Sequence, residues 1–373
     1  MYFYFPVAVR ALGLTVTRFR PLHFVFTAVV AIVFAMLAIV VAAGGLLDEV
    51  LFPGYRRRAI VQPIYIVATP RSGTTFLHRL MCLDERFTWL KLYHTLLPSA
   101  TLIKAVQLVA ALDFRIGSPL HRVARWTSSR MFAGWKGIHE TGLDRAEEDE
   151  MVWLYPMLSP GLVLLFPWPA DFPEALYPDR LPERSRRKLS GWYRRFLQKH
   201  AEVAGGGRTL LAKNALMGGR LETTIAAVPE ARFVHLVRHP YQAIPSLLSM
   251  FTVPWWTHSG HLRRDGPEVR ALAEMTVEYY RRMDRLEAEL GADRVVTIAY
   301  EDLMDDPDGA LRRIYDRFGL AMDEGFRTRL AGALAGAREY RSGHRYSLEE
   351  YGLSRDWVYQ SMPEVFASHG FER

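Results

Sequence analysis

The sequence has little of what disulfide frameworks and metal sites need. It contains one cysteine, Cys82, in 373 residues. A single thiol excludes an intramolecular disulfide framework and any cysteine-rich metal centre. The sequence also lacks a helical His/Glu pair and an aspartate-rich segment with ligand spacing, so we expect no metal.

Charge of one sign is not concentrated either. Lysine and arginine number 47 against 40 acidic residues, which leaves a net charge of +7. Such an excess suits anionic small molecules, lipid headgroups and nucleic acid about equally. No basic run is interleaved with aromatic residues, so we expect no nucleic-acid partner. With 50% hydrophobic and 23% charged residues, the composition is that of a folded globular protein.

A hydrophobic run near the N-terminus carries no charge. Residues 24–47 lack acidic and basic side chains. As a helix they would extend about 36 Å, more than the roughly 30 Å hydrocarbon core of a bilayer. A signal peptide is the alternative, but the run is too long and the segment before it is not simply basic. We predict an N-terminal segment at 1–21, a single-pass transmembrane helix at 22–47 and a basic juxtamembrane linker at 48–62.

The arginines around this run leave its orientation open. Three precede it, at positions 10, 18 and 20, and three follow it at 56–58. The tighter cluster follows the run, which favours a cytoplasmic location for the rest of the chain if the protein is bacterial.

After the linker, short apolar runs alternate with helical patterns. Strand-like runs cover 64–68, 209–212, 232–237 and 295–299, and helical patterns cover 75–81, 220–227, 267–290 and 307–318. This alternation predicts a parallel α/β sheet with right-handed crossovers. We assign residues 63–373 to one domain, with a mostly helical insertion at 84–207 that forms an acceptor pocket. The aromatic and proline-rich part of the insertion, 153–169, is either a buried cap, an apolar channel or a surface facing the bilayer.

The first strand runs directly into the loop 70–75, which has the sequence PRSGTT. A loop between a parallel strand and a helix directs backbone N–H groups at the helix's positive end, where an anion binds. Gly73 allows close approach of the backbone, and Arg71 adds a planar cation. The loop is not a Walker A motif, because it lacks the glycine spacing and the lysine of that motif.

A second cation is expected at the same edge of the sheet. Arg238 ends the strand 232–237, and Ser246 follows in the next helix. Ligands of open α/β sheets bind at the carboxyl edge of the strands, so these groups converge on the loop.

Together these motifs resemble the sulfotransferase superfamily, in the membrane-associated and bacterial branch with the PRSGTT loop. The resemblance implies a P-loop-like three-layer α/β sandwich and 3′-phosphoadenosine 5′-phosphosulfate as the sulfuryl donor. It also implies the following donor contacts: Arg71, Ser72, Gly73, Thr74, Thr75 and Phe76 at the 5′-phosphosulfate, Arg238 and Ser246 at the 3′-phosphate, Tyr300 at the adenine, and Arg341 and Gly343 near the 3′-phosphate.

Sulfuryl transfer to an alcohol is similar to phosphoryl transfer, with negative charge growing on the leaving oxygen. Arg71 is expected to stabilise that oxygen, and Lys213 resembles the family lysine that does likewise. The acceptor must also lose a proton, and we predict His94 as the base, in a position where related bacterial sequences have glutamate. The alternatives are His139 with Glu140, an acid in the run 147–150, and His344; otherwise the acidic run is a solvated helix start.

The expected function is therefore sulfuryl transfer to a hydroxyl of a lipid, sterol or glycan, with a membrane and a membrane-associated acceptor as partners. Two alternatives stay open. A nucleotide-dependent phosphotransferase or kinase would need a Walker lysine and a magnesium carboxylate, neither of which is well placed. A non-catalytic nucleotide-binding membrane protein could have the same fold.

Overall fold

One parallel sheet organises the part of the chain that the computed structural model describes, residues 2–69, 71–120, 122–123, 146–337 and 346–373. Its strands are β1 (Val61–Ala68), β2 (Phe87–Trp89), β3 (Thr209–Asn214), β4 (Arg232–Val237) and β5 (Val295–Ala299). Their spatial order is β2-β3-β1-β4-β5. The chain leaves β1 towards one side of the sheet and later crosses it to reach β4, so the carboxyl end of β1 lies at a switch point where such sheets bind ligands.

Helices precede the sheet, connect its strands and follow it. The first part of the chain contains α1 (Phe5–Thr17), α2 (Pro21–Leu51), α3 (Thr74–Met81), α4 (Leu92–Leu96), α5 (Ala100–Arg115), α6 (Glu150–Leu154), α7 (Pro173–Leu176) and α8 (Glu183–Ala204). The second part contains α9 (Leu221–Ala227), α10 (Pro240–His258), α11 (Pro267–Asp284), α12 (Leu286–Leu290), α13 (Tyr300–Asp305), α14 (Pro307–Arg317), α15 (Glu324–Ala337), α16 (Arg355–Ser361) and α17 (Pro363–His369).

Both faces of the sheet are buried. In β1, Tyr65 and Val67 point into one core, while Ile64 and Ile66 point into the other. The first core packs against α6, α8 and α9, and the second against α3 and α14. Strands covered on both faces are apolar throughout, as parallel strands in α/β proteins are. The predicted three-layer α/β sandwich with a central parallel sheet is confirmed.

Some boundaries differ from the sequence-based prediction. β1 begins earlier, at Val61, and its register is irregular near Gln62, which has a φ of 34°. β2 is too short for a periodic pattern to reveal it. The helix expected over 267–290 breaks at Arg285, where the chain turns and buries Leu286 completely.

The aromatic and proline-rich part of the insertion is irregular, as its composition predicts. Short helical turns at Pro160–Leu164 and Pro169–Asp171 interrupt it. Trp153 is fully buried, and Phe166 and Trp168 are 6% and 5% exposed. This burial favours the cap over the channel among the interpretations of the sequence.

The helix α2 is continuous over 31 residues and includes the hydrophobic run. Among the described residues it is the one helix long and apolar enough to cross a membrane, with a mean hydropathy of 3.0 over its best window. Its buried residues lie near its two ends and on one side of the helix, and partly buried apolar residues pack against the core between them. The buried residues are His23, Thr27, Val41, Gly44 and Asp48, and the partly buried ones are Phe34, Leu37 and Ala38. One side of α2 is therefore packed on the body of the protein, and the other side is exposed.

Candidate functional site

The loop between β1 and α3 has an unusual backbone. Arg71 and Gly73 have positive φ values of 73° and 82°. The positive φ favours glycine at position 73, and a Cβ atom there would also crowd the Tyr300 ring at 3.2 Å. The left-handed conformation of Arg71 costs on the order of 1 kcal/mol or more. The contacts that hold it include a bond from Arg71 Nε to Ser246 Oγ at 3.2 Å and one from Arg238 Nη1 to the Arg71 carbonyl at 2.8 Å.

The end of this loop offers polar groups to an anion. α3 begins at Thr74 without a capping bond from any described side chain, so the N–H groups of its first turn need another acceptor. The Ser72 side chain is fully buried, and its hydroxyl has no hydrogen-bond partner among the described residues. A buried hydroxyl and a row of N–H groups beside Arg71 fit a phosphate or sulfate group.

Lys213 contributes a second cation to the site. It lies near the end of β3, in register with Ile66 of β1, and its side chain is fully buried. Its Nζ atom donates to Thr75 Oγ1 at 3.0 Å and lies 3.3 Å from Glu148 Oε1. Glu148 keeps 23% of its side chain exposed. The carboxylate therefore faces both the buried lysine and solvent.

Arg238, directly after β4, links several elements. Its guanidinium lies 4.3 Å from the centre of the Tyr300 ring and donates to Gln242 Oε1 at 2.9 Å. Ser246, in α10, is buried and accepts the bond from Arg71. The carboxyl ends of β1, β4 and β5 thus bring the two arginines and the tyrosine to one place, as the sequence predicts for the edge of such a sheet.

The acidic run at 147–150 is mostly enclosed, with Glu147 and Asp149 buried and Glu148 and Glu150 half-buried, so the alternative of a fully solvated helix start is wrong. Asp149 is fully enclosed and accepts hydrogen bonds from Tyr193 Oη and Asn214 Nδ2. Its backbone N–H donates to the Lys213 carbonyl at 3.3 Å. Burial raises the pKa of Asp149 to about 6. These bonds fasten the run to the end of β3, and so hold the preceding glutamate next to the lysine.

Glu150 strengthens this attachment. It forms an ion pair with Arg220, whose side chain is fully buried and lies 4.8 Å from the Trp153 ring centre. Asn214 Nδ2 also donates to Glu150 Oε2 at 3.1 Å. Removal of one partner from a buried ion pair costs about 3–5 kcal/mol, because the other charge stays buried. The position of the acidic run is therefore strongly enforced.

His94 lies in α4 and is buried. Its Nδ1 accepts from the backbone N–H of Lys91 at 3.3 Å, and its ring centre lies 5.2 Å from that of His200. Burial, together with the nearby His200 and Lys91, lowers the pKa of His94 to about 3. A ring with an occupied lone pair and so low a pKa is a weak proton acceptor. The role of His94 as the base stays a prediction.

Other predicted positions are placed as follows. Phe76, in α3, packs against the core on one face of the sheet. Six positions fall outside the described residues: Pro70, His139, Glu140, Arg341, Gly343 and His344. Within the described ranges, no group of three or more His, Cys, Asp or Glu side chains is arranged to hold a metal ion.

Sequence reasoning named Glu148 only as one member of an acidic run and missed the side chains that hold it. Asn214 was the available signal, because it directly follows Lys213 at the end of a buried strand. A buried amide needs polar partners, and an acidic run elsewhere in the domain supplies acceptors.

Comparison with known proteins identifies the family. A model of the Sulfotransferase family matches residues 63–324. The chain belongs to this family. It is therefore a sulfotransferase, and membership implies 3′-phosphoadenosine 5′-phosphosulfate as co-substrate. Membership also decides against the kinase alternative for the activity of the protein.

The relatives of this sulfotransferase include mycobacterial enzymes. It is 27% identical over 350 residues to omega-hydroxy-beta-dihydromenaquinone-9 sulfotransferase Stf3 of Mycobacterium bovis and of Mycobacterium tuberculosis, and the match covers 92% of this chain and 84% of those proteins. The crystal structure of sulfotransferase STF9 from Mycobacterium avium has a TM-score of 0.71 at 18% identity, covering 89% of this chain and 82% of that one. Sulfotransferase STF1 from Mycobacterium tuberculosis H37Rv has a TM-score of 0.68 at 20% identity, covering 91% and 87%. These structures share the fold.

Proposed function

We propose that this sulfotransferase moves a sulfuryl group from 3′-phosphoadenosine 5′-phosphosulfate to a hydroxyl of a membrane lipid. The observation that carries the proposal is a buried lysine, Lys213, between the anion-binding loop at Thr75 and the carboxylate of Glu148. Transfer to an alcohol needs cations for an anionic donor and an acceptor for the alcohol's proton. Both are present within one cluster.

The chemistry of the side chains supports the donor-binding roles that the sequence predicts. The first turn of α3 and the Ser72 hydroxyl fit the 5′-phosphosulfate. Arg238 and Ser246 fit the 3′-phosphate, and the Tyr300 ring offers a surface for the adenine. Arg71 contacts Ser246 at 3.2 Å. This distance supports one ligand that bridges both groups.

The reacting centre needs a cation and a base. The bound donor supplies an activated sulfuryl group, whose S–O bond to phosphate breaks as the S–O bond to the acceptor forms. Arg71 and Lys213 oppose the negative charge on the departing phosphate oxygen. A preorganised hydrogen-bonding group at such a position contributes about 3–4 kcal/mol to transition-state stabilisation.

We propose Glu148, rather than His94, as the group that takes the acceptor's proton. The Glu148 carboxylate is partly exposed and lies 3.3 Å from Lys213 Nζ. It is therefore next to the cation that stabilises the leaving group. His94 instead uses Nδ1 to accept the Lys91 N–H.

A lipid acceptor is supported by two observations. The name of the relative Stf3 specifies omega-hydroxy-beta-dihydromenaquinone-9, a lipid with a hydroxyl group. In this protein, α1 and α2 expose many large apolar side chains. An enzyme at a membrane surface meets hydroxylated lipids at high local concentration.

Donor binding is tested by calorimetric titration with adenosine 3′,5′-bisphosphate and with ATP. We expect the wild type to prefer the 3′-phosphorylated ligand, and Arg238→Ala to weaken that ligand about 10- to 100-fold through loss of a charged contact. Arg184→Ala, at an exposed position in α8, is the matched control. Equal affinity for the two nucleotides contradicts the donor assignment.

The acceptor is tested by incubating the enzyme and sulfur-labelled donor with a total membrane lipid extract. We expect label in a lipid that mass analysis identifies as a sulfate ester. If label were found only in added sterol or glycan, that molecule would be the acceptor instead of the extracted lipid.

A further inference from the structure

Both ends of α2 are attached to the same folded body. At its beginning, the His23 Nε2 atom lies 3.0 Å from the Leu165 carbonyl, and the His23 ring packs edge-on against Trp168. Phe26 stacks on His258 of α10 with ring centres 4.8 Å apart. The first turns of the helix are thus fixed to the insertion and to α10.

The other end of α2 has polar attachments of its own. Asp48 is fully buried, and its carboxylate lies 2.8 Å from Lys199 Nζ of α8 and accepts from Ser99 Oγ at 2.9 Å. Gly44 packs so closely on Leu102 of α5 that a Cβ atom would lie 2.6 Å from its Cγ. Between the two ends, Phe34 stacks on Tyr155 at 5.3 Å.

The distance between these attachments argues against a bilayer crossing. His23 and Asp48 are 25 positions apart in the sequence, which is about 37 Å along a helix. The hydrocarbon core is about 30 Å thick. If α2 crossed it, the two attachments would lie on opposite sides, and the body that joins them would have to occupy the lipid. The surface of that body carries exposed ion pairs, such as Arg180 with Glu278, and charged groups of this kind are unsuited to lipid contact.

The other side of α2 is apolar and exposed from end to end. Val25, Ile32, Ile39, Leu46 and Val50 are 59%, 61%, 69%, 73% and 75% exposed. Their spacing of four to seven positions keeps them on one side of the helix.

The neighbouring helix α1 adds to this exposed surface. It contributes Phe5, Val9, Leu12 and Val16, each more than 60% exposed. We call this combined surface of α1 and α2 the apolar face.

We propose that α1 and α2 lie along a membrane surface and bury the apolar face in one leaflet, without crossing the bilayer. Basic groups support a lipid occupant. Arg20 is exposed at one end of α2, and Arg57 is exposed just beyond the other. Anionic headgroups complement both ends. A second copy of the chain would bring arginine against arginine in the parallel and antiparallel arrangements alike.

This inference does not depend on the sulfotransfer reaction, and it replaces the single-pass span expected from hydrophobicity. A long apolar run is sufficient in length to span a bilayer, but its length alone does not show a span. Amphipathic packing along a protein body is typical of monotopic attachment. The two arrangements differ in whether both ends of α2 lie on the same side of the membrane.

The test is the accessibility of single cysteines in cell membranes. Each variant is the full chain with Cys82→Ala and one new cysteine, introduced by Arg20→Cys, Arg57→Cys or Thr328→Cys. The cysteine at position 328 shows on which side of the membrane the catalytic body lies. Intact spheroplasts and inside-out vesicles are treated with a membrane-impermeant maleimide. We expect all three cysteines to react from the same side. Reaction of Arg20→Cys and Arg57→Cys from opposite sides overturns the proposal.

A second experiment measures lipid contact directly. The double variant Ile32→Glu/Ile39→Glu charges the apolar face, and Thr328→Glu is a control for an added acidic residue elsewhere. Flotation with vesicles of phosphatidylcholine and phosphatidylglycerol is expected to show at least a tenfold weaker association for the double variant only. Equal flotation of both variants overturns lipid as the occupant. The same conclusion follows if the wild type is a dimer in the absence of lipid and the double variant is a monomer.

Discussion

Lys213 is the residue on which the proposed chemistry of the site depends. Its side chain is fully buried, and its ammonium group contacts one hydroxyl and one carboxylate. A buried ammonium needs such partners, because isolation from water is costly. The ammonium therefore joins the anion-binding loop to the acidic run, and this position distinguishes Glu148 from its three acidic neighbours.

The choice of base is tested by two matched amide variants. We expect Glu148→Gln to lower kcat about 10²- to 10⁴-fold, because the amide cannot take a proton and general-base catalysis contributes about that much. We expect His94→Gln to lower kcat far less. Turnover is measured with labelled donor, and binding of adenosine 3′,5′-bisphosphate is measured in parallel.

Retained ligand binding in both variants is the control for correct folding. If His94→Gln lost turnover and Glu148→Gln kept it, with binding intact in both, the histidine would be the base.

Adjacent glycines in α2 allow a prediction at the scale of the element. A Cβ atom at Gly44 would meet Leu102 at 2.6 Å, whereas the nearest atom to a Cβ at Gly45 is Lys199 Nζ at 3.8 Å. Gly44→Ala is expected to reduce the free energy of unfolding by about 1–3 kcal/mol through overpacking between α2 and α5. Gly45→Ala is expected to increase it by about 0.5–1 kcal/mol, since alanine favours helix.

Thermal unfolding of the two variants and the wild type in the same detergent measures this difference. Equal unfolding temperatures for the two variants would show that α2 is not packed against α5 as described.

At the same scale, local patterns predicted much of the fold but not the way distant segments meet. β4 and β5 are found over the ranges that their apolar runs indicate, because burial on both faces leaves a continuous signal. The anion-binding loop after β1 could be predicted from the sequence because its glycine and arginine act through local backbone geometry. The burial of Asp149 could not be predicted from the sequence, since its partners Tyr193 and Asn214 are far away in the chain. The packing of α2 on the body was hidden for the same reason.

For the whole molecule, buried histidines set the response to acid. Burial is the main cause that lowers the pKa of His78, His94 and His235 to about 3, and that of His200 to about 4. The unfolded chain takes up protons on these side chains near pH 6.5, and the folded chain does not until the pH is far lower. Folding stability is therefore present above pH 6.5 and is lost as the pH falls below it.

Asp149 acts in the opposite sense. Its pKa of about 6 in the folded state lies above the ordinary aspartate value, so the folded protein binds this proton more tightly than the unfolded chain does. Its burial is therefore less costly at low pH, and stability from this group falls as pH rises from about 4 to 6. One such group offsets part of the effect of the histidines.

We expect the unfolding temperature to decrease between pH 7 and pH 5.5, with each buried histidine contributing up to about 1.4 kcal/mol per pH unit. His200→Gln preserves a polar partner for Thr88, which lies 3.1 Å from His200 Nε2. This variant is expected to show a shallower decrease than the wild type. Identical pH profiles of the two proteins would remove His200 from this account.

If the apolar face holds this enzyme on a leaflet, as proposed, it also determines how the reaction rate depends on the surroundings. An enzyme held on a leaflet encounters a lipid acceptor by lateral diffusion in two dimensions, while its water-soluble donor arrives from the bulk. Addition of inert lipid would then slow sulfation by surface dilution, although the quantity of acceptor in the sample is unchanged. The mole fraction of acceptor within the leaflet, rather than its molarity, becomes the substrate concentration that this enzyme experiences.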